Sequence, residues 1–110
     1  MQDLIFRDTS DFDQALAGGM ILVEFWSPDC GPCRIVGPAL ESLEAHYVEQ
    51  VRFVRVNVDA HPDVALQQRV MGVPTVIIYE EGCPVDVLYS SYSPQVYRDR
   101  LDRVLQQSMT

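Results

Sequence analysis

The sequence predicts an α/β protein of three layers, in which four helices flank a central mixed β-sheet of about five strands. Short apolar segments rich in β-branched residues alternate with segments of helical periodicity, as expected for strands joined by helices. A hairpin turn late in the chain adds an antiparallel neighbour, so the sheet should be mixed. With 110 residues, 47% of them apolar, the chain can form one domain (residues 1–110) around one core.

The first third of the chain predicts a strand, a helix and a second strand. Leu4–Phe6 is a short apolar segment and predicts an edge strand. Thr9 or Ser10 can cap a helix, and Gly18-Gly19 would end it, since glycine tolerates the left-handed backbone beyond a helix end. Met20–Trp26 is apolar except at one position, which predicts a strand buried on both faces. The helix should turn inward Phe12, Ala15 and Leu16.

The middle of the chain predicts a long helix and then a central strand. Apolar residues at helical spacing run from Gly31 to about Tyr47, and Pro38 within that span should kink the helix. Val51–Val58 is rich in β-branched residues and predicts a central strand. The apolar positions of the helix are Ile35, Val36, Ala39, Leu40 and Leu43.

A short helix and a hairpin are predicted next. Asp59–Met71 reads as a helix with Pro62 at its start. Val76–Tyr79 and Val85–Tyr89 are predicted strands, joined by a turn at Glu81-Gly82. The apolar contacts of this helix should come from Val64, Ala65, Leu66 and Val70.

The last element is predicted to be a helix that packs against the sheet. Ser93 can serve as its cap, and Pro94 is suited to a first turn. Its inward residues should be Val96, Tyr97, Leu101, Val104 and Leu105. The chain as a whole shows no repeat, linker or low-complexity segment.

Charge and composition exclude several classes of function. The net charge is −8, with 16 acidic residues against eight basic ones, so nucleic acid and anionic membrane surfaces are unsuitable partners. No apolar run approaches the roughly 20 residues of a membrane span. The N-terminal residues lack the pattern of a signal peptide, so we expect a cytoplasmic location. Three cysteines are too few for a secreted disulfide scaffold.

Cys30 and Cys33 form a Cys-x-x-Cys pair where an apolar strand gives way to a helix. Residues three apart at a helix start share one face, and this spacing allows a disulfide. Free amides and the positive dipole end of a helix N-terminus stabilise a thiolate, which is the reactive form. Pro32 fits here because first-turn amides have no partner within a helix. These residues predict a redox site.

A zinc site is the other common use of such a pair, and we do not expect one. Zinc needs about four ligands, and beyond the pair only Cys83, His46 and His61 remain as candidates. Neither histidine is paired with a second ligand at finger-like spacing, and both should be solvated or lie at helix ends. Cys83 is expected to be exposed at the hairpin tip, out of reach of the pair. It is either incidental or a site of glutathionylation or intermolecular disulfide formation.

Several motifs, taken together, resemble the thioredoxin family over nearly the whole chain. The resemblance implies the thioredoxin fold and thiol–disulfide oxidoreductase activity toward protein disulfides, with no bound cofactor besides the Cys30–Cys33 disulfide. It further implies a flavin-dependent reductase fed by NADPH as electron donor. Separately from the resemblance, we expect a monomer. The matching segments, in family order and spacing, are Val23–Trp26, Cys30–Arg34, Pro38, Val56–Asp59, Gly72–Thr75 and Gly82.

The resemblance also assigns roles to residues of the site. Cys30, exposed and with a lowered pKa, would attack a substrate disulfide, and Cys33, sheltered and close, would resolve the mixed disulfide. Pro74 would follow a cis bond, so that the backbone of Val73 can pair with an extended substrate. Trp26 should pack beneath the active-site turn, which includes Asp29, Gly31 and Pro32. The aromatic residues expected in the core are Trp26, Phe25, Phe53 and Tyr79.

Glu24 stands where the family usually has a buried Asp that accepts the proton of the resolving cysteine, and Arg55 would be its neighbour. A buried carboxylate should have a raised pKa, which suits proton transfer near neutral pH. Arg55 can bias the charge but cannot relay a proton. The alternative is that the two residues form only a structural ion pair.

The expected docking face departs from the family pattern. Asp29 stands where the residue before the first cysteine is commonly Trp, and a carboxylate there should disfavour a thiolate and repel acidic partners. Tyr89, Ser90 and Ser91 replace a Val-Gly-Ala-like segment. These changes predict that the protein acts on a narrower range of protein disulfides. The alternative is neutral drift in a general reductase. Two other functions stay open: a binding module with secondary redox chemistry, and an oxidase or isomerase.

Overall fold

Residues 1–108, which the computed structural model describes, form five β-strands and four α-helices, with one 3-10 turn at Ala45–Tyr47. The strands are β1 (Gln2–Asp3), β2 (Met20–Trp26), β3 (Arg52–Asn57), β4 (Thr75–Glu80) and β5 (Cys83–Tyr89). The helices are α1 (Thr9–Ala15), α2 (Cys33–Glu44), α3 (Pro62–Gln67) and α4 (Pro94–Ser108). The predicted order of elements is therefore confirmed.

The strands form one mixed sheet in the order β1-β3-β2-β4-β5. β1 and β2 both run parallel to β3, whereas β4 is antiparallel to β2 and to β5. One core cluster joins the sheet to α2 and α4, and a second joins its other face to α1 and α3. This arrangement is the predicted three-layer sandwich. Phe25, Phe53 and Tyr79 are buried in it, as expected.

The first strand lies earlier in the chain than predicted. Gln2 and Asp3 pair with Val54 and Arg55, and the ladder ends where the Leu4 amide donates to the Arg55 carbonyl at 2.8 Å. The prediction of a strand over 4–6 is thus wrong. Leu4 and Phe6 pack against the core from a loop, while Ile5 is 89% exposed. Their apolar character reflects this packing and not strand pairing.

The cap of α1 is Asp8, not the predicted Thr9 or Ser10. The Asp8 carboxylate accepts from the Asp11 amide at 3.1 Å and from the Ser10 hydroxyl at 2.7 Å. A cap must have extended backbone while its side chain reaches back to the first turn, and Asp8 satisfies both conditions. Thr9 and Ser10 are already helical.

Two of the apolar residues predicted to face inward are exposed instead. Ile35 in α2 is 66% exposed, and Leu66 in α3 is 76% exposed. The buried positions of α2 include Cys33, Val36 and Leu40, and this spacing directs position 35 away from the sheet. α2 begins at Cys33, two residues later than predicted, and α3 is shorter than predicted.

Both edges of the sheet are irregular or short. β1 has two residues. β5 begins after a turn at Glu81 and Gly82, whose φ angles of 51° and 82° suit a two-residue hairpin. Its second residue is Pro84, and the β4–β5 register shifts between Ile78 and Tyr79. No helix within the described residues is long and apolar enough to cross a membrane.

Candidate functional site

The two active-site cysteines are joined by a disulfide at the N-terminal end of α2. Their Cα atoms lie 5.3 Å apart, within the usual range for a disulfide. The turn before the helix is held by the Cys30 amide, which donates to the Ser27 carbonyl at 3.3 Å. The Cys33 amide donates to the Cys30 sulfur at 3.1 Å. A first-turn amide thus points at Cys30, where it would stabilise a thiolate.

The two cysteine residues differ less in exposure than expected. Cys30 is 7% exposed and Cys33 3% exposed, so the expectation of an openly exposed attacking cysteine is wrong for the disulfide form. Both cysteines are buried in the turn from Ser27 to Cys33, while Gly31 and Pro32 within it are exposed. Asp29 is exposed immediately before Cys30.

A crevice of about 270 Å³, which reaches Pro32 between the two cysteines, brings together most of the predicted docking residues. The Val73–Pro74 peptide bond is cis, which confirms the prediction made for it. Its loop is fastened on both sides: the Thr75 hydroxyl donates to the Gly72 carbonyl at 2.7 Å, and the Ser90 amide to the Pro74 carbonyl at 3.2 Å. The crevice is lined by Pro32, Met71, Gly72, Val73, Pro74, Thr75, Tyr89 and Ser90. Ser91 is exposed outside this lining.

Glu24 and Arg55 are direct neighbours across β2 and β3. Glu24 is fully buried, and its Oε1 accepts from Arg55 Nε at 2.8 Å. Oε2 of Glu24 has no hydrogen-bond partner within residues 1–108. Burial raises the pKa of the Glu24 carboxyl above its usual value, and the charge and hydrogen bond of Arg55 only partly oppose this.

Trp26 is half-buried, so its expected place in the core is wrong. Its indole N–H donates to Asp3 Oδ1 at 3.1 Å, and the Arg55 guanidinium lies 4.2 Å from the ring centroid. Arg55 Nη1 is also 3.9 Å from Asp3 Oδ2. Asp3, which the sequence analysis missed, therefore links Trp26 to the ion pair. It was missed because β1 was placed after it.

Comparison with known proteins agrees with this geometry. The family model for thioredoxin matches residues 3–106. The chain belongs to the thioredoxin family. It is 35% identical over 96 residues to the thioredoxins of Staphylococcus aureus strains Mu50, MW2 and N315, which covers 87% of this chain and 92% of each relative.

The thioredoxin family and the Cys30–Cys33 disulfide together identify the chemistry. The fold is the thioredoxin fold, and the protein is a thiol–disulfide oxidoreductase that reduces protein disulfides. In such exchange a thiolate attacks one sulfur of a disulfide, and the other sulfur leaves as a thiolate. The two electrons gained by the substrate come from the dithiol, which becomes the disulfide.

A larger cavity of about 430 Å³ adjoins the crevice at the loop that precedes the cis-proline. The two spaces share Met71, Gly72 and Val73, and Met71 is 90% exposed. Most of the cavity lining is apolar, with Asp59 among its few polar residues. Around its cis-proline loop, the protein therefore presents an apolar surface that includes one acidic residue, Asp59.

Cys83 and the two histidines do not line the crevice at the active site. Cys83 is exposed at the start of β5, where it pairs with Glu80, whereas the far end of that strand reaches the crevice. His61 occupies the N-cap position of α3 without a side-chain capping bond, is buried, and contacts the ring of Phe6, while His46 lies in the 3-10 turn. Among residues 1–108, no three His, Cys, Asp or Glu side chains are grouped so as to hold a metal ion.

Proposed function

We propose that Cys30 is the attacking and Cys33 the resolving cysteine of this thioredoxin-type reductase. The observation that carries this assignment is the hydrogen bond from the Cys33 amide to the Cys30 sulfur. A Cys30 thiolate attacks the substrate disulfide, and one substrate sulfur leaves as a thiolate that then takes a proton. Cys33 attacks Cys30, the mixed disulfide breaks, and the Cys30–Cys33 bond forms as the second substrate thiol is released.

Glu24 is proposed as the proton acceptor for Cys33. Its burial and raised pKa suit a group that exchanges protons near neutral pH, and its Oε2 is not held by Arg55 through a hydrogen bond. Arg55 keeps its own proton and moderates the carboxyl pKa. Trp26 and Asp3 hold Arg55 in place.

Trapping of the mixed disulfide tests which cysteine attacks the substrate and which resolves the mixed disulfide. Cys33→Ser should accumulate a covalent complex with a protein disulfide substrate, because no thiol remains to resolve it. Cys30→Ser should form none, and Cys83→Ser, at the distant exposed cysteine, is the matched control and should turn over normally. Complexes are counted on non-reducing gels. Accumulation in Cys30→Ser instead of Cys33→Ser would reverse the assignment.

The reduction potential of the pair separates the reductase from the alternatives. A reductase should have a potential below the glutathione poise, roughly −220 to −260 mV by extraction methods. Equilibration in thiol–disulfide buffers, read from Trp26 fluorescence, measures it. A value well above that poise would favour an oxidase or isomerase, and failure to form a linked disulfide would favour a binding module.

We propose the remaining features from family membership and composition. The electron donor is a flavin-dependent reductase that uses NADPH, and the dithiol needs no bound cofactor of its own. The protein acts as a monomer in the cytoplasm, as one domain over residues 1–110. The absence of a basic excess, with a net charge of −8, supports partners other than nucleic acid or anionic membranes.

The docking surface supports a restricted clientele. Asp29 is exposed next to Cys30, the attacking cysteine, and Asp59 lines the adjoining apolar cavity. Acidic substrates that bind here are therefore repelled by these carboxylates. Asp29→Trp should broaden the range of protein disulfides reduced and speed the reduction of acidic ones. The control Glu49→Trp makes the same change of charge at the other end of β2, near Met20. Equal substrate profiles for wild type and Asp29→Trp would favour neutral drift.

A further inference from the structure

Gly37 lies on the buried face of α2, one turn after Cys33, and a side chain at this position would contact the Glu24–Arg55 pair. A Cβ at this position would lie 3.7 Å from Glu24 Oε1, 3.8 Å from Oε2 and 3.7 Å from Arg55 Nη2. These are ordinary van der Waals distances, so alanine would fit without a shift of its neighbours. Glycine weakens a helix interior relative to alanine, and packing therefore does not explain its presence.

The direction of helical side chains shows what an added group would cover. Side chains of an α-helix tilt toward its N-terminus, so each covers the turn before its own Cα. A side chain at position 37 would lie over the turn that begins at Cys33. It would also touch both carboxylate oxygens of Glu24. Cys33 is buried on that same helix face.

We propose that Gly37 is a positioning residue for the resolving step, because its missing side chain leaves the Glu24 carboxylate open to the turn of α2 that carries Cys33. The inference rests on the proposed role of Glu24 as proton acceptor. Oε2, buried and without a hydrogen-bond partner among the described residues, is the oxygen available to take a proton. Alanine at 37 would place a methyl group beside both carboxylate oxygens without supplying a hydrogen-bond donor.

The step itself is a balanced exchange. The Cys33 thiol gives its proton to Glu24, and the resulting thiolate attacks the Cys30 sulfur of the mixed disulfide. The Cys30–substrate bond breaks, the Cys30–Cys33 bond forms, and the substrate leaves as a thiolate. The electron pair of the new bond comes from Cys33, and the broken bond's pair leaves with the substrate.

The pH dependence of this step depends on the groups around Glu24. Arg55 faces it from β3 and favours the carboxylate, whereas Asp3 on β1 and Glu41 on α2 disfavour it. The charge of Glu24 in turn contributes to the raised pKa of Tyr97 on α4. None of these residues changes in Gly37→Ala, so a shift of the pH profile reports on the contact at position 37.

The test measures the resolving step directly. In a Cys83→Ser background, a coloured aryl thiol is coupled to Cys30 as a mixed disulfide, and its release by Cys33 is followed by stopped flow across pH. Gly37→Ala should slow release near neutral pH by about tenfold, the equivalent of one pKa unit, and move the profile to higher pH. Its Tm should equal or exceed that of the parent, because alanine favours the helix.

Glu24→Gln and the double variant distinguish a failure of the proton-acceptor role of Glu24 from a failure of the role of Gly37. Glu24→Gln should also slow release, and Gly37→Ala added to it should slow release no further. If Glu24→Gln has no effect, the proton-acceptor role fails and the inference falls with it. If Glu24→Gln slows release but Gly37→Ala does not, only the role of Gly37 is wrong. Equal slowing by Gly37→Ala in both backgrounds, or slowing without a pH shift, would show a packing effect and overturn the proposal.

Discussion

Glu24 carries a fully buried carboxylate whose two oxygens have different surroundings. Oε1 accepts from Arg55, whereas Oε2 has no hydrogen-bond partner among residues 1–108. Burial of a charge that is only partly compensated costs folding free energy. A proton on Glu24 removes that cost, so the features that suit the group to proton exchange also make the stability of the protein depend on pH.

We expect Glu24→Gln to remove this dependence. The pKa of Glu24 is raised in the folded state, so its contribution is most favourable below the usual value of 4.5 and is lost as pH rises through the folded pKa. The free energy of unfolding of the variant, relative to wild type, should therefore increase with pH from 4.5 upward. Urea titrations of the disulfide forms at a series of pH values measure it. A difference that stays constant would contradict the raised pKa.

At the residue scale, the sequence predicted which residues form the site better than it predicted how buried each side chain is. Cys30, Cys33 and the cis bond before Pro74 follow from short motifs that impose a local geometry. Ile35 and Trp26 were placed wrongly because apolar character does not reveal which side of an element faces the sheet. The closeness of position 37 to Glu24 depends on how α2 crosses β2, which spacing along one helix does not determine.

At the scale of elements, β5 and α4 are joined by an ion-pair cluster. Asp86 on β5 accepts from Arg100 Nε at 2.6 Å and from Arg100 Nη2, and Arg103 Nη2 lies 3.5 Å away. The Asp86 side chain is only 10% exposed. The hydrogen bond from Arg100 holds the pKa of Asp86 below its usual value. α4 is also tied to the 3-10 turn, where the Tyr47 hydroxyl donates to Asp102 at 2.6 Å.

Asp86→Asn should lower the free energy of unfolding on the order of 2 kcal/mol at neutral pH, because it weakens charged hydrogen bonds that are largely shielded from water. A lowered folded pKa contributes stability above the usual value of 3.8, and that stability is lost as pH falls through the folded pKa. The deficit of the variant should therefore shrink in acid. Denaturant titrations at several pH values measure both effects.

The control for this prediction is Arg7→Ala. Arg7 pairs with Asp11 at 3.4 Å but is 92% exposed, so water and salt screen the interaction. Its loss should leave the unfolding free energy unchanged within error. An equal loss in both variants would show that burial of the β5–α4 cluster adds nothing.

Elements were predicted well where a periodic pattern was long. β2 and α4 carry enough apolar residues to identify them, and their positions are confirmed. β1 has two residues, too few for any period to show, and its pairing with β3 is visible only in three dimensions. The start of α1 depends on backbone geometry at Asp8, which several neighbouring residue types could have supplied.

At the scale of the whole molecule, the Cys30–Cys33 disulfide cross-links the chain over a short loop. A cross-link stabilises by restricting the unfolded chain, and closing a loop of four residues contributes roughly 2 kcal/mol. The disulfide form should therefore unfold at higher denaturant concentration than the dithiol form. Paired titrations with and without reductant measure the difference. A dithiol form of equal or greater stability would contradict the expectation.

The same titrations test the proposed single domain. Fluorescence of Trp26, beside the active site, and far-UV circular dichroism, which averages all elements, should give one coincident transition. Separate transitions would divide the chain into independently unfolding parts.

The margins of the sheet affect how molecules meet one another when crowded. A long, regular outer strand invites a second chain to add its own strand, which begins fibril formation. Here one margin is the two-residue β1, and the other is β5, which has a residue without an amide hydrogen at Pro84 and a register shift across its pairing with β4. Neither margin offers a long, regular row of unpaired backbone N–H and C=O groups with which a strand of another chain could pair. Concentrated folded protein should therefore resist strand-by-strand aggregation.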